Sequence, residues 1–99
     1  MVNIKKMKSS EWNRLKEDLE SQLKEAGWRF SRIMRTGETT IAIEGGSIPI
    51  HYNIESNECA VWNKCSRYSK GFVQIEMLVE VSDILDGWGA EVCRYSNQL

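Results

Sequence analysis

The sequence predicts an α+β domain: an antiparallel sheet of three to four strands, flanked on one face by two helices in the order α-β-β-β-β-α. Three observations carry this expectation. Trp12, Leu15, Leu19, Leu23 and Ala26 recur at spacings of three and four, the signature of an amphipathic helix. From residue 28 to residue 64 the apolar rhythm changes to a period of two, interrupted by short polar and glycine-rich turns. Beyond residue 72 helical spacing returns, through Val73, Met77, Val81, Ile84, Leu85 and Trp88.

Residues 1–8 form a basic lead, with Lys5, Lys6 and Lys8 around Met7, expected to fray at its start. Ser9 or Ser10 is the expected cap of the first helix, and Glu11 places negative charge at the positive end of its dipole. Glu20 and Lys24 are spaced for an i,i+4 ion pair, and Gly27 is the natural left-handed stop. In the first strand Trp28, Phe30 and Met34 alternate with Arg29, Ser31 and Arg35, while Arg32 and Ile33 break the rhythm. Thr36-Gly37-Glu38 is a hairpin turn leading to the β-branched strand 39–44, and Gly45-Gly46-Ser47 turns the chain again.

Ile48, Ile50, Tyr52 and Ile54 alternate with Pro49, His51, Asn53 and Glu55, as on a strand with one buried face. Pro49 lacks an N–H and belongs at the strand's start or on a free edge. After Ser56-Asn57-Glu58, residues 59–63 make a fourth strand, and residues 64–71 a basic loop. Residues 72–85 satisfy both periods, and their length favours a helix over 72–86, closed by Gly87 and Gly89. Residues 90–95 are long enough for a short C-terminal strand. The predicted core is Leu15, Leu19, Leu23, Trp28, Ile41, Ile43, Ile50, Tyr52, Met77, Val81 and Leu85.

With 99 residues, 41% apolar and 27% charged, the chain suits one domain over residues 9–99, able to bury a core without metal or disulfides. Neither a secretory signal nor an apolar run of about 20 residues is present, so the expectation is a cytoplasmic protein without membrane contact. Three cysteines, Cys59, Cys65 and Cys93, cannot all pair within one chain and are expected as reduced thiols. The net charge of −1 divides unevenly: residues 1–35 carry nine Lys/Arg against five Asp/Glu, and residues 36–99 carry four against nine.

That polarity defines two candidate surfaces. Lys5, Lys6, Lys8, Arg29, Arg32, Arg35, Lys64, Arg67 and Lys70, with Tyr68, are the residue types that contact phosphates and stack on bases. On the 72–86 helix, Phe72, Ile75 and Val79 fall opposite the core stripe among acids that include Glu76 and Glu80, a pattern that suits a protein interface. His51, the single histidine, is the one candidate for acid–base chemistry, placed on the outward face of its strand. The cysteines and His51 lack a recognisable zinc-ligand spacing, and Gly45-Gly46-Ser47 lacks the lysine of a phosphate loop. No metal and no cofactor are therefore expected.

The order α-β-β-β-α also resembles that of double-stranded-RNA-binding-type domains. Met7-Lys8-Ser9-Ser10-Glu11 leading into a Leu-rich helix that ends at Gly27-Trp28, with Arg32 soon after, resembles the opening of the HicA-like mRNA interferase toxins. Ile48-Pro49-Ile50-His51 is similar to that family's second strand-end motif. The resemblance covers about a third of the chain and implies a small RNA-directed α+β domain. It departs at the first hairpin, where the family carries a Gly-Ser-His-His-type segment with its catalytic histidine. This chain has Arg35-Thr36-Gly37-Glu38-Thr39 there. The functional expectation is a small binding or accessory protein acting by contact with a protein partner or a second copy of itself. An inhibitor or accessory factor fits this description, and the resemblance alone implies one of the toxin–antitoxin or phage-borne kind. The alternatives are an RNA- or DNA-binding module and a HicA-like RNA-cleaving toxin using His51.

Overall fold

A computed structural model describes residues 2–45, 50–61 and 70–97 of the chain. The elements run from a 3-10 turn at Ile4–Lys6 to α1 (Ser9–Glu25), β1 (Arg32–Arg35), β2 (Thr40–Glu44), β3 (Ile50–Asn53), β4 (Glu58–Val61) and α2 (Lys70–Asn97). The four strands form one antiparallel meander in the order β1-β2-β3-β4. The α+β class and its element order are those that the residue spacing predicts.

Register decides which side chains enter the core. Ile33 pairs with Ile43, and Ile43 with Ile50; Ile41 pairs with Tyr52, and Tyr52 with Cys59. These positions share one face of the sheet, and Ile33, Ile41, Ile43, Ile50 and Tyr52 all lie in the buried cluster. Trp12, Leu15, Leu19 and Leu23 of α1 and Val81, Leu85, Trp88 and Val92 of α2 join the same cluster, so both helices cover that face. Trp88 ties them together. Its indole Nε1 donates to the Leu15 carbonyl at 2.8 Å, and its ring lies 6.3 Å from that of Trp12, edge to face. Arg14 lies 5.5 Å from the Tyr95 ring centroid, so the first turns of α1 meet the last turns of α2.

Gly27 ends α1 as expected, with φ +82. Gly27 N–H donates to the Lys24 carbonyl and Trp28 N–H to that of Leu23, the paired bonds of a Schellman stop. Trp28, next after the stop, is buried beside Leu23 in the core.

Several local expectations are corrected. Neither Ser9 nor Ser10 caps α1; Lys8 holds the extended cap position, and no side chain bonds the first turn. The lead packs from Val2 onward: Val2, Ile4 and Met7 are buried, and Ile4 N–H donates to the Glu38 carbonyl at 2.8 Å. Three apolar side chains interleaved with the lysines outweigh the tendency of a terminus to fray. Lys24 lies 5.9 Å from the Phe30 ring centroid, and no Glu20–Lys24 ion pair forms among the described residues.

The first strand is shorter than its alternation implies and has the opposite phase. Ile33 points inward with Arg35, and Met34 outward opposite Ala42. Trp28 and Phe30 precede the strand, because the Schellman turn places Trp28 under α1 before the ladder begins. The largest correction concerns α2, which runs through Gly87 and Gly89 to Asn97. It replaces both the stop at those glycines and the C-terminal strand over 90–95. The spacing Val81, Leu85, Trp88, Val92 continues one buried stripe across the glycines, and packing outweighs their low helix propensity. Of the predicted core, the side chain of Met77 lies outside the described residues, as do the Gly46-Ser47 turn, Pro49 and the 62–69 segment; the other ten positions are buried.

Candidate functional site

The fold distributes the expected basic surface unevenly. Lys5, Lys6, Lys8 and Arg29 are exposed. Arg32, on the outward sheet face, pairs with Glu44 at 3.1 Å, its partner across the ladder, and theirs is the one ion pair among the described residues. Arg35 turns inward. Its guanidinium donates to the carbonyls of Ile4 at 3.0 Å and Met7 at 3.3 Å and lies 5.3 Å from the Trp12 ring centroid. The lead and the first strand therefore do meet, through an arginine that holds the lead in place. Lys64, Arg67 and Tyr68, together with the Lys70 side chain, lie outside the described residues.

His51 is exposed on the outward face, opposite Ala42 and Ala60 in the ladder. Neither neighbour carries a group able to orient an imidazole or exchange a proton with it. On α2, Val79 is 58% exposed and Glu80 is exposed beside it, while the side chains of Phe72, Ile75 and Glu76 lie outside the described residues. Asp83, Asp86, Ala90 and Glu91 continue the same solvent-facing side of the helix.

A polar constellation that the sequence did not disclose lies between α2 and the turn joining β3 to β4. Asn57 sits in that turn with φ +54, a left-handed geometry that asparagine tolerates better than most residues. Its side chain links strand to helix: the Tyr52 hydroxyl donates to Asn57 Oδ1 at 2.7 Å, and Asn57 Nδ2 donates to Asp86 Oδ1 at 2.7 Å. A groove of about 190 Å³ opens alongside, lined by these three residues with Ile54, Gly89, Ala90 and Cys93. Gly89 is required here, because a methyl group at that position would collide with the Tyr52 hydroxyl.

Burial, then the negative charge of Asp86 and the neighbouring Cys93 and Cys59, pushes the Tyr52 phenol up to about 12. The phenol is a hydrogen-bond donor at neutral pH and not a base. Burial also raises the Cys59 thiol, which disfavours the reactive thiolate. No histidine lines the groove. Among the described residues, no three His, Cys, Asp or Glu side chains converge to hold a metal ion. The three side chains form one hydrogen-bonded chain that runs from the buried Tyr52 hydroxyl to the exposed Asp86 carboxylate.

Tyr52 and Asn57 each read from the sequence as structural residues, one in the core and one in a turn. Their connection to Asp86 crosses 29 positions from Asn57 and has no local signal. Only the length of α2 past Gly87 brings Gly89 and Cys93 to the same place.

Fold and site together define a small α+β domain with a four-stranded meander, two helices on one face and an open groove of mixed apolar and polar lining between α2 and the β3–β4 turn. No family model, curated protein or solved structure matches the chain. No helix among the described residues is long and apolar enough to cross a membrane.

Proposed function

We propose that this chain is a binding protein that acts by contact with another protein or a second copy of itself, and that the solvent-facing side of α2 is the surface it presents. The observation that carries this reading is Val79. It is 58% exposed amid acidic side chains, whereas the other large hydrophobic side chains described are buried or half-buried. By sequence spacing, positions 72 and 75 belong to the same side of the helix as position 79. An apolar strip rimmed by charge is the usual composition of a contact surface. The ladder partners of His51 are both alanines, which carry no polar group to orient its ring, and this supports contact over chemistry. An accessory or inhibitory role is the form of such contact that a domain of this size suits.

A photo-cross-linking side chain at position 79 tests the reading, with one at exposed position 55 as control. The expected result is a discrete adduct from position 79, either with a partner or with a second copy, that survives nuclease treatment and high salt. Equal adducts from both positions, or capture that disappears with nuclease, would overturn it in favour of a nucleic-acid module. Light scattering of the purified protein separates a partner from self-association.

A further inference from the structure

We infer that the groove between α2 and the β3–β4 turn seats one cationic side chain, a lysine or an arginine, presented by a basic segment of a protein partner. This inference rests on the contact reading above and names the partner's chemistry. Size is the first argument. About 190 Å³ is below the volume of pockets that enclose drug-sized molecules, and it suits one extended side chain. Chemistry is the second. Buried Ile54, the bare Cα of Gly89 and half-buried Cys93 offer apolar surface, while exposed Asp86 supplies a carboxylate. Long cationic side chains lay their methylenes on such surface and keep the charged head at the polar end.

Preorganisation is the third argument. Tyr52 holds Asn57, and Asn57 holds Asp86 through Oδ1, leaving Oδ2 without a bond from any described residue. A carboxylate fixed before binding loses less freedom when a cation arrives. The surrounding field is the fourth. Glu80, Asp83, Asp86 and Glu91 are exposed along α2, and Arg94 is the one basic side chain described on that helix, so the approach favours positive charge. No lysine or arginine lines the groove to receive an anion, and a wholly apolar occupant would desolvate Asp86 without pairing it.

The test is a titration of the isotope-labelled protein, monitored through backbone amide resonances, using N-acetyl-lysinamide as probe and its uncharged norleucine analogue as control. The expected result is shifts centred on Asn57, Gly89 and Ala90 for the lysine probe, little response to norleucine, and at least tenfold weaker binding in Asp86→Asn. Ala90→Leu fills the groove mouth while retaining the carboxylate, and should also abolish the shifts; it keeps the test decisive if Asp86→Asn fails to fold. Equal response to norleucine, shifts spread evenly over Glu80, Asp83 and Glu91, or silence at concentrations that fill a millimolar site would each overturn the inference. A discrete cross-link from position 79 without lysine-dependent shifts overturns the groove and leaves the contact reading intact. Lysine-dependent shifts with no discrete cross-link overturn the contact reading instead.

Discussion

In α1 the chain reaches Gly27 and stops; in α2 it meets Gly87 and Gly89 and continues to Asn97. Gly27 adopts φ +82 and donates into the last turn, with buried Trp28 next to it as an apolar plug. Gly87 and Gly89 are helical, because Trp88 between them and Val92 after them extend the stripe begun by Val81 and Leu85. A glycine permits a stop without requiring one. The neighbouring apolar residues decide: Trp28 leads out of the helical stripe, whereas Trp88 continues it. The two glycines of α2 differ as well. A methyl at Gly87 meets open space, while one at Gly89 runs into Tyr52.

The largest expected effect comes from removing the side chain that carries α2 past its glycines. Trp88→Ala deletes the ring that meets Trp12 edge to face and the donor to Leu15, and should cost about 3–5 kcal/mol in denaturant unfolding. Loss of helical circular dichroism should accompany it. Leu19→Ala, the matched truncation in α1, should cost about 2–5 kcal/mol, and a loss below about half a kcal/mol would show that α1 turns another face inward.

The glycines give the sharper contrast. Gly89→Ala should destabilise by about 1–3 kcal/mol through overpacking against Tyr52, and Gly27→Ala by about 1–2 kcal/mol through its left-handed backbone. Gly87→Ala should act with the opposite sign, raising stability by up to about 1 kcal/mol, since it adds helix propensity in open space. Equal effects at positions 87 and 89 would break the distinction drawn between them.

The smallest signal is a titration. Tyr52 holds its proton up to about pH 12 in the folded state, against an ordinary value of 10.0. The folded chain therefore binds this proton more tightly than the unfolded one. The stabilisation is complete below pH 10 and declines as pH rises from 10 towards 12. Phenolate absorbance of the wild type minus Tyr52→Phe should show the raised midpoint. In Asp86→Asn that midpoint should move back towards 10.0, because the largest charged contributor is gone.

Most of the fold was legible because it comes from local periodicity. The α1 stripe, the Gly27 stop, the β-branched second strand and the alternation of Ile50, Tyr52 and Ile54 against His51 and Asn53 each record which side faces the core. The phase of β1 was harder to read. Four residues hold too few alternations to outvote Trp28 and Phe30, which are apolar for a different reason. The groove was not legible at all. Its hydrogen bonds join residues whose separate local roles, core tyrosine, turn asparagine and solvent-facing aspartate, are each sufficient to explain them.

The division reflects the range of the forces. Amino-acid order by itself determined the α+β class, the sequence of elements and the centre of the core, namely the leucines of α1, the inward residues of β2 and β3, and Val81 and Leu85, since hydrophobic spacing and turn chemistry act over a few residues. Tertiary structure alone decided that the lead folds in, that Arg35 serves the lead, and that α2 continues through two glycines. It also set Tyr52, Asn57 and Asp86 in line. Each of these depends on a surface assembled from distant segments, where burial of a tryptophan or satisfaction of a carbonyl outweighs the local preference of the chain.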